Sequence, residues 1–368
     1  MSPYNPLPPN RHHSVLKWPN RASSEERLRC LRFGWLSKQC EECRDGRYDE
    51  MTNKQKYRQL CVVDKYIPLF SQAWWLDAVC GNEHWDVLLV EKAGAIVGSM
   101  PFYRKRRYGM TLLSQPQLTQ TLGPYIKYPD NQKHDARLSH EKSVMTELID
   151  RLPQFDHFIQ NFHYTNTNWL PFYWKGYSQT TCYTYVIEDL TNLDLVFSNF
   201  SHAKRKNINK AEKLVNVVFD IDAERFYENH KMTLSKQNSA INYSFELFQR
   251  IYNSGYASKS ACTIGAIDEA GNLHGALFVV WDETSAYDLI STIDPDFRNS
   301  GAASLLVREV IRFVSTKTKK FDFEGSMIEA VEGSFRQFGA IQTPYFRVTK
   351  TPSRLLRARQ ALNLVLRG

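Results

Sequence analysis

One segment restricts the fold of this chain more than any other, because a strand, a tight turn and a helix follow one another without a gap. The strand is the apolar run 286–293, and the helix that begins near Ala302 has leucines and valines at helical spacing. The turn between them contains Arg298 and Gly301 in the pattern Arg-x-x-Gly-x-Ala. Glycine lets backbone approach a ligand closely, and the free N–H groups of a helix start attract anions. The segment therefore predicts a phosphate-binding turn, with Arg298 as a charged contact.

The elements around this turn are typical of a mixed α and β domain. The second half of the chain is predicted to contain, in order, a basic helix at 201–213, strand 215–219, helices 222–238 and 244–254, strands 260–267, 273–282 and 286–293, helix 302–315, strand 320–323, helix 328–338 and strand 341–348. Ser201 is a good N-cap for the basic helix. The first half is also mixed: a helix at 69–79 precedes a β-hairpin at 85–102, and the basic run Arg104–Arg107 is expected to form a loop after it. An antiparallel meander that leads into parallel crossover units is the expected topology.

Length and composition limit the classes of protein. A chain of 368 residues predicts two domains, and 42% hydrophobic residues exclude wholesale disorder. No apolar run approaches the ~18 to 20 residues of a membrane-spanning helix. The net charge of +8 favours a polyanionic partner, which is a nucleic acid, an anionic lipid surface or a phosphorylated cofactor. Charge alone does not choose among them.

The start of the chain differs from the rest. Residues 1–60 are expected to be poorly ordered, and the stretch before Met51 is hypothesised to be a start-site overcall, because sustained periodicity begins only there. Cys40 and Cys43 have a zinc-ligand spacing but lack a second close pair, so no metal site is predicted. Elsewhere the cysteines are scattered singly through segments typical of core or strand, which favours reduced thiols and a cytoplasmic location.

The turn and its context resemble the pyrophosphate-binding motif of the GNAT superfamily of N-acyltransferases. The matching pattern is Asp-Pro-x-Phe-Arg-x-x-Gly-x-Ala-x-x-Leu-Leu, from Asp294 to Leu306. The basic helix 201–213 and the segments 321–327 and 333–339 are similar to the Fem-type branch, in which two GNAT-like domains occur in tandem and only one keeps a full cofactor loop. The resemblance covers roughly residues 65–350.

This resemblance implies an α/β fold, with an α+β mixed sheet, made of two tandem GNAT-like acyltransferase domains. The expected boundaries are residues 61–190 for an N-terminal domain without a cofactor loop and residues 191–350 for a C-terminal domain with an acyl-coenzyme A loop. Residues 351–368 are predicted to form a basic amphipathic helix. That helix could lie on an anionic membrane or dock on its own domain.

The resemblance also implies transfer of an acyl group to an amine. The donor is acyl-coenzyme A in most GNAT enzymes and aminoacyl-tRNA in the Fem peptidoglycan-bridge enzymes. The retained loop favours acetyl-coenzyme A or another acyl-coenzyme A, with a primary amine of a sugar, peptide or cell-envelope precursor as acceptor, nucleotide- or lipid-linked acceptors included. Two alternatives stay open: an aminoacyl-tRNA-dependent transferase acting on a peptidoglycan precursor, with the basic helix meeting tRNA phosphates, and a non-catalytic binding protein of the GNAT fold.

Acylation of an amine requires a base and a stabiliser of the oxyanion. Glu324, just after the strand 321–323, is the candidate base or amine anchor, because burial beside Phe323 would raise its pKa toward neutrality. Asp322 is expected on the opposite face of the strand. Tyr345 is the candidate acid for the leaving thiolate. Backbone N–H groups at 291–293 are expected to form the oxyanion site, as β-bulges do in GNAT enzymes.

The other candidate site residues form two sets. The cofactor-binding set is Ile293, Arg298, Asn299, Ser300, Gly301, Ala302 and Ala303. The substrate-binding set is Lys204, Arg205, Ser291 and Arg336.

Overall fold

The computed structural model describes residues 51–325 and 327–365. The predictions for residues 1–50, on the start site and on zinc, lie outside this range. The helices are α1 (Asn53–Val63), α2 (Ala73–Cys80), α3 (His134–Asp150), α4 (Leu170–Trp174), α5 (Leu193–Ser198), α6 (His202–Ala211), α7 (Ala223–Lys236), α8 (Phe245–Ala257), α9 (Ala302–Val314), α10 (Glu329–Phe335) and α11 (Arg354–Val365). Short 3₁₀ turns occupy Leu69–Ser71, Pro295–Ser300 and Arg336–Phe338.

The strands are β1 (Trp85–Lys92), β2 (Ala95–Arg107), β3 (Met110–Ser114), β4 (Tyr125–Ile126), β5 (His157–Asn161), β6 (Ser178–Ile187), β7 (Asn216–Phe219), β8 (Ala261–Ile267), β9 (Leu273–Trp281), β10 (Ser285–Ile293), β11 (Lys320–Asp322) and β12 (Ile341–Lys350). Within the described ranges these strands form one mixed sheet in the order β1-β2-β3-β5-β12-β6-β11-β10-β9-β8-β7, and β4 pairs with β2 beside this path. The predicted α/β class with a mixed sheet is confirmed.

The two halves of the sheet are built alike. In the first half, the antiparallel strands β1, β2 and β3 lead through α3 into β5, which is parallel to β3. In the second half, the antiparallel strands β8, β9 and β10 lead through α9 into β11, which is parallel to β10. The meander and crossover predicted from the sequence of the second half are therefore present, and the first half repeats them.

Two strands at the centre of the sheet join these halves. β12, from the end of the chain, pairs antiparallel with β5 on one side and with β6 on the other. β6, from the first half of the sequence, pairs antiparallel with β11 of the second. Each half therefore borders a strand supplied by the other part of the sequence.

The packing around the second crossover explains why its strands and helix could be predicted from the sequence. Every residue of β9 is buried, because helices cover both faces of this central strand. One face of α9 is apolar and buried, with Leu306, Val310, Ile311 and Val314 all fully enclosed. Apolar residues at intervals of three and four are the signature of such a helix.

Residues 51–60 differ from the prediction, since they begin a regular helix rather than continue a poorly ordered segment. Thr52 caps α1, and its hydroxyl and the side chain of Gln55 form a reciprocal capping box. Tyr57 is fully buried: its hydroxyl donates to the carbonyl of Ser71 at 2.6 Å, and its ring packs edge-on against Trp85. Capping and this anchor fix the helix in place.

The basic run Arg104–Arg107 was expected to form a loop but lies within β2. Its backbone pairs with β3, with Arg104 opposite Leu113 and Arg107 opposite Met110. The side chains are exposed, because this end of the hairpin extends beyond the core. Among the described helices, none is long and apolar enough to cross a membrane.

Candidate active site

The parallel strands β10 and β11 pair over only three residues. Ser285–Tyr287 lie beside Lys320–Asp322, and then β11 ends while β10 continues to Ile293. In open α/β sheets ligands bind beyond the carboxyl ends of parallel strands. The end of this pairing is therefore where a substrate is expected.

β10 is irregular at the same level. Its register with β9 shifts between Asp288 and Ile290, so that Leu289 is an extra residue on this strand. A bulge of this kind leaves a backbone group unpaired and bends the strand. The expected oxyanion site at 291–293 differs from this position, since those residues pair regularly with β9. The irregular backbone lies at Leu289 instead.

Three carboxylates are buried where the two strands part: Asp288 on β10, Asp322 on β11, and Glu324 just beyond β11. The N–H of Glu324 donates to Oδ1 of Asp322 at 2.8 Å. Thr184 also donates to Oδ1 of Asp322, and Ser291 donates to Oδ2 of Asp288 at 2.8 Å. The prediction that Asp322 faces away from Glu324 is wrong, because the Asp322 carboxylate accepts from the Glu324 N–H and its charge acts on the Glu324 carboxylate. We call these three residues the acidic cluster.

Burial raises the pKa of every member of the acidic cluster. Burial raises the pKa of Glu324 well above its ordinary value, as predicted, and the charges of Asp322 and Asp288 raise it further. Burial also raises the pKa of Asp322 to about 7 and that of Asp288 to about 6. An incoming cation would lower all three values, because it favours the carboxylate form.

Two oxygens of the acidic cluster are buried without a hydrogen-bond partner. They are Oε1 of Glu324 and Oδ1 of Asp288, neither of which has a donor among the described residues. Buried polar atoms are normally paired, so such exceptions point to a missing donor. A protonated amine supplies several N–H donors and a positive charge. The described residues contain no group of His, Cys, Asp and Glu arranged to hold a metal ion.

The backbone at Glu324 is strained. Glu324 has φ +57° and Gly325 has φ +53°, so both residues lie in the left-handed region. A Cβ atom on Gly325 would lie 2.1 Å from the carbonyl oxygen of Tyr183, which shows how closely this turn packs against β6. For Glu324 the conformation costs on the order of 1 kcal/mol or more.

Tyr345 lies on β12 directly opposite Cys182 of β6, and its ring is buried. Its hydroxyl is hydrogen-bonded to the Cys182 thiol, and the charge of Glu324 acts on it. Burial, Cys182 and Glu324 together raise the pKa of Tyr345 above its ordinary value. A tyrosine that keeps its proton in this way can act as an acid. The structure thus brings the two predicted catalytic residues to one place.

The predicted phosphate-binding turn leads directly into α9. Gly301, with φ +86° and ψ 0°, is the N-cap, and no side chain caps the helix from that position. Arg298 is exposed, and its side chain makes no hydrogen bond or ion pair within the described part of the chain. A Cβ atom on Gly301 would lie 2.2 Å from the backbone oxygen of Asn207, so the close approach that demands glycine is made by α6.

The remaining residues of the predicted cofactor set line the same turn. Ser300 is buried and its hydroxyl accepts a hydrogen bond from the N–H of Ala302 at 3.2 Å, while the carbonyl of the exposed Asn299 accepts one from Lys210 at 2.6 Å. Ala302 is buried, and Ala303 and Ile293 are half-buried. α9 therefore begins without a side-chain cap from Gly301, and a helix start of this kind attracts anions.

Of the predicted substrate set, Lys204 and Arg205 lie on α6, and Lys204 contacts the segment 334–338 that contains Arg336, whereas Ser291 lies on β10. Lys204 is 9% exposed; its Nζ donates to Ser334 at 2.8 Å and lies over the ring of Phe338 at 4.1 Å. Burial lowers the pKa of Lys204 to about 8. Arg205 donates to backbone carbonyls at the end of α5, and Arg336 pairs with Glu332 at 3.8 Å.

Among these four residues, Ser291 is the one with a described bond to the acidic cluster. Sequence reasoning missed Asp288 and Gln120, which donates from its side-chain amide to the carbonyl of Glu324. Asp288 carried a signal, since it is an ionisable residue inside an otherwise apolar strand. Gln120 carried none, because it lies in a segment without periodicity.

Comparisons with known proteins agree with this geometry. Residues 198–327 match the family model of the acetyltransferase (GNAT) domain. The structure of FemX is similar to this one with a TM-score of 0.59 at 11% sequence identity, covering 81% of this chain and 96% of the FemX chain. The chain has a Fem-like GNAT fold. The tandem GNAT architecture expected from the sequence is thereby confirmed, and the matched domain contains the turn at Gly301 and the acidic cluster.

Two further structures share features with this Fem-like GNAT fold. A conserved protein of unknown function from Bacteroides thetaiotaomicron has a TM-score of 0.50 at 10% identity, over 81% of this chain and 97% of its own. A tandem GNAT protein from the clavulanic acid biosynthesis pathway has a TM-score of 0.43 at 11% identity, over 72% of this chain and 82% of its own. No curated protein matches the sequence.

Proposed function

We propose that this Fem-like GNAT protein is an N-acyltransferase that moves an acyl group, acetyl in the simplest case, from coenzyme A to a primary amine. The observation that carries the proposal is the unpartnered Oε1 of Glu324, buried among carboxylates where β10 and β11 part. A site of this kind suits a cationic amine that must lose a proton. The family match of residues 198–327 supports acyl transfer as the reaction class.

The donor would be held at the start of α9. The Ala303 N–H in the first helical turn and the guanidinium of Arg298 would bind the pyrophosphate, while the Ala302 N–H donates to Ser300. Coenzyme A, when bound, supplies the thioester that carries the acyl group and a thiolate as leaving group. The exposed position of Arg298 leaves its guanidinium free to turn toward a phosphate.

The chain's own groups account for the proton transfers. Asp288 and Asp322 would attract the ammonium form of the acceptor, whose positive charge would lower the pKa of Glu324; the Glu324 carboxylate would then take a proton from the nitrogen, so that the neutral amine can attack. The C–N bond would form first and the C–S bond would break second, with Tyr345 donating its proton to the departing sulfur and regaining one from the acylated nitrogen. The unpaired backbone at the Leu289 bulge would supply an N–H donor to the oxyanion between these two events.

The acceptor class stays the one expected from the sequence: a primary amine on a sugar, a peptide or a cell-envelope precursor. The acidic cluster supports an acceptor that arrives as a cation, since two of its buried oxygens have no donor within the described ranges. A neutral amide or hydroxyl acceptor would leave the charge of the acidic cluster uncompensated.

The test combines binding and turnover. Calorimetry should show coenzyme A binding to the wild type and about tenfold weaker binding to Arg298→Ala, since one charge-assisted contact is lost. A thiol-release assay with acetyl-coenzyme A and a panel of amines should give turnover that Glu324→Gln lowers by ~10²- to 10⁴-fold, with coenzyme A affinity unchanged. The exposed Glu283→Gln is the matched control and should behave as wild type.

Each failure has a distinct meaning. If neither coenzyme A nor acetyl-coenzyme A binds at millimolar concentration, the proposal that coenzyme A carries the acyl group is refuted. Unchanged turnover in Glu324→Gln would remove Glu324 from the proton transfer. Binding of coenzyme A without turnover on any amine would favour the non-catalytic alternative.

A further inference from the structure

A segment of the first half of the chain reaches the candidate base in the second half. The segment Gln115–Gly123 connects β3 to β4 and has no helix or strand of regular length. From it, the side-chain amide of Gln120 donates a hydrogen bond to the backbone carbonyl of Glu324, 204 positions further along the sequence. Glu324, which accepts this bond, has a left-handed backbone, and its carboxylate belongs to the acidic cluster.

Gln120 is itself held by a chain of polar contacts. The backbone carbonyl of Gln120 accepts from Nδ2 of Asn161 at 3.1 Å, and Oδ1 of Asn161 accepts from Nε of Arg347 at 3.0 Å. The N–H of Asn161 donates to Oε1 of Gln115 at 3.1 Å, and Gln115 donates to the carbonyl of Thr119 at 3.0 Å. These contacts tie the segment to β5 and β12, so that Gln120 is fixed before it meets Glu324.

The segment also carries backbone strain of its own. Leu118 has φ +52°, which is a rare conformation for a large aliphatic residue. Its side chain packs against an apolar cluster that contains both Trp75 and Tyr287, and Trp75 donates to the hydroxyl of Thr119 at 3.1 Å. Strain of this kind persists only where surrounding contacts enforce it.

We propose that Gln120 is a positioning residue for Glu324, through which the first half of the chain completes the active site. The donor on the carbonyl fixes the peptide plane that follows Glu324, and the packing of Gly325 on Tyr183 fixes the next residue. With both ends of this turn held, the Glu324 carboxylate keeps one orientation toward Asp288 and Asp322. The proposal rests on the function proposed above, in which Glu324 is the base.

Replacement of Gln120 tests the position of the Glu324 carboxylate without changing the charge around it. The titratable groups that act on Glu324 or respond to it are Asp288 from β10, Asp322 from β11 and Tyr345 from β12. Gln120 is uncharged, so its replacement by methionine removes a donor of similar size without changing the charge around the carboxylate. A change in the pKa of Glu324 would then report a change in the position of its carboxylate.

The matched pair is Gln120→Met and Gln117→Met. Gln117 belongs to the same segment, and its amide donates to the carbonyl of Asn242, away from Glu324. Gln120→Met is expected to lower kcat about tenfold while both KM values stay within about twofold, since a positioning bond acts on the chemical step. Gln117→Met should keep the wild-type kcat. Equal loss of kcat in both variants, or no loss in Gln120→Met, would overturn the proposal.

A second readout separates this proposal from the function on which it rests. Carbon-13 NMR of protein labelled at glutamate carboxyl carbons, with Glu324→Gln to assign the signal, gives the apparent pKa of Glu324 without any substrate. A shift of about half a pKa unit or more is expected in Gln120→Met and none in Gln117→Met. If the signal shifts but no amine is acylated, the positioning role stands and the proposed function fails. If acylation occurs but Gln120→Met changes neither the signal nor kcat, the function stands and the positioning role fails.

Discussion

Replacement of Gly301 by alanine should destabilise the protein by more than the cost of its backbone conformation. Gly301 has φ +86°, and a left-handed backbone costs an L-residue ~1 to 2 kcal/mol. The added Cβ would also lie 2.2 Å from the backbone oxygen of Asn207, which forces α6 and α9 apart. Overpacking of this kind costs a further ~1 to 3 kcal/mol. The expected loss for Gly301→Ala is therefore about 2 to 5 kcal/mol.

Gly271→Ala is the control for this experiment. Gly271 has φ +85°, and a Cβ there would meet nothing within 4 Å, so it isolates the conformational cost. Urea denaturation followed by circular dichroism gives the free energy of unfolding for both variants and the wild type. Equal losses in the two variants would refute the contact between α6 and the turn. A larger loss in Gly301→Ala would also mean that weaker coenzyme A binding by this variant reports the fold rather than a lost ligand contact.

Two further predictions concern buried ionisable groups, and urea denaturation across pH checks both. Because the pKa of Asp322 is raised from 3.8 to about 7, the folded state keeps a proton that the unfolded chain loses, so stability falls as pH rises between these values. Asp322→Asn should flatten this dependence, and parallel profiles for variant and wild type would contradict the assignment. The pKa of Lys204 is lowered from 10.5 to about 8, so its charge opposes folding below pH 8 and this penalty fades as pH rises toward 10.5. Lys204→Met should raise the free energy of unfolding at pH 7 by ~1 to 3 kcal/mol, with a difference that shrinks above pH 8, and a loss of stability at pH 7 would refute the reasoning.

The second half of the fold was predictable because its elements are regular and follow one another in sequence. β8, β9 and β10 are apolar runs separated by short turns, and α9 has an apolar face of helical period. Glu324 could be singled out because it follows a short apolar strand in a crossover unit. The partners of β6 and β12 could not be predicted, since periodicity shows that a strand exists but not which distant strand it pairs with.

The candidate site was predictable only in part, for the same reason. Glu324 and Tyr345 were identified one by one, and the structure brings them within electrostatic reach of each other. The bulge at Leu289 depends on the register with β9, which no local pattern encodes. The bond from Gln120 joins segments about two hundred residues apart and depends on the whole sheet being assembled.

The placement of β12 has a consequence for how the protein is made. β12 follows every other described strand in the sequence, yet it lies at the centre of the sheet, between β5 and β6. A nascent chain that has produced only its first half would expose the edges of β5 and β6, because the strand that covers both has not been translated. The first half therefore completes its fold only after the ribosome has delivered residues 341–350. Separate expression of the two halves would leave each with an uncovered strand edge.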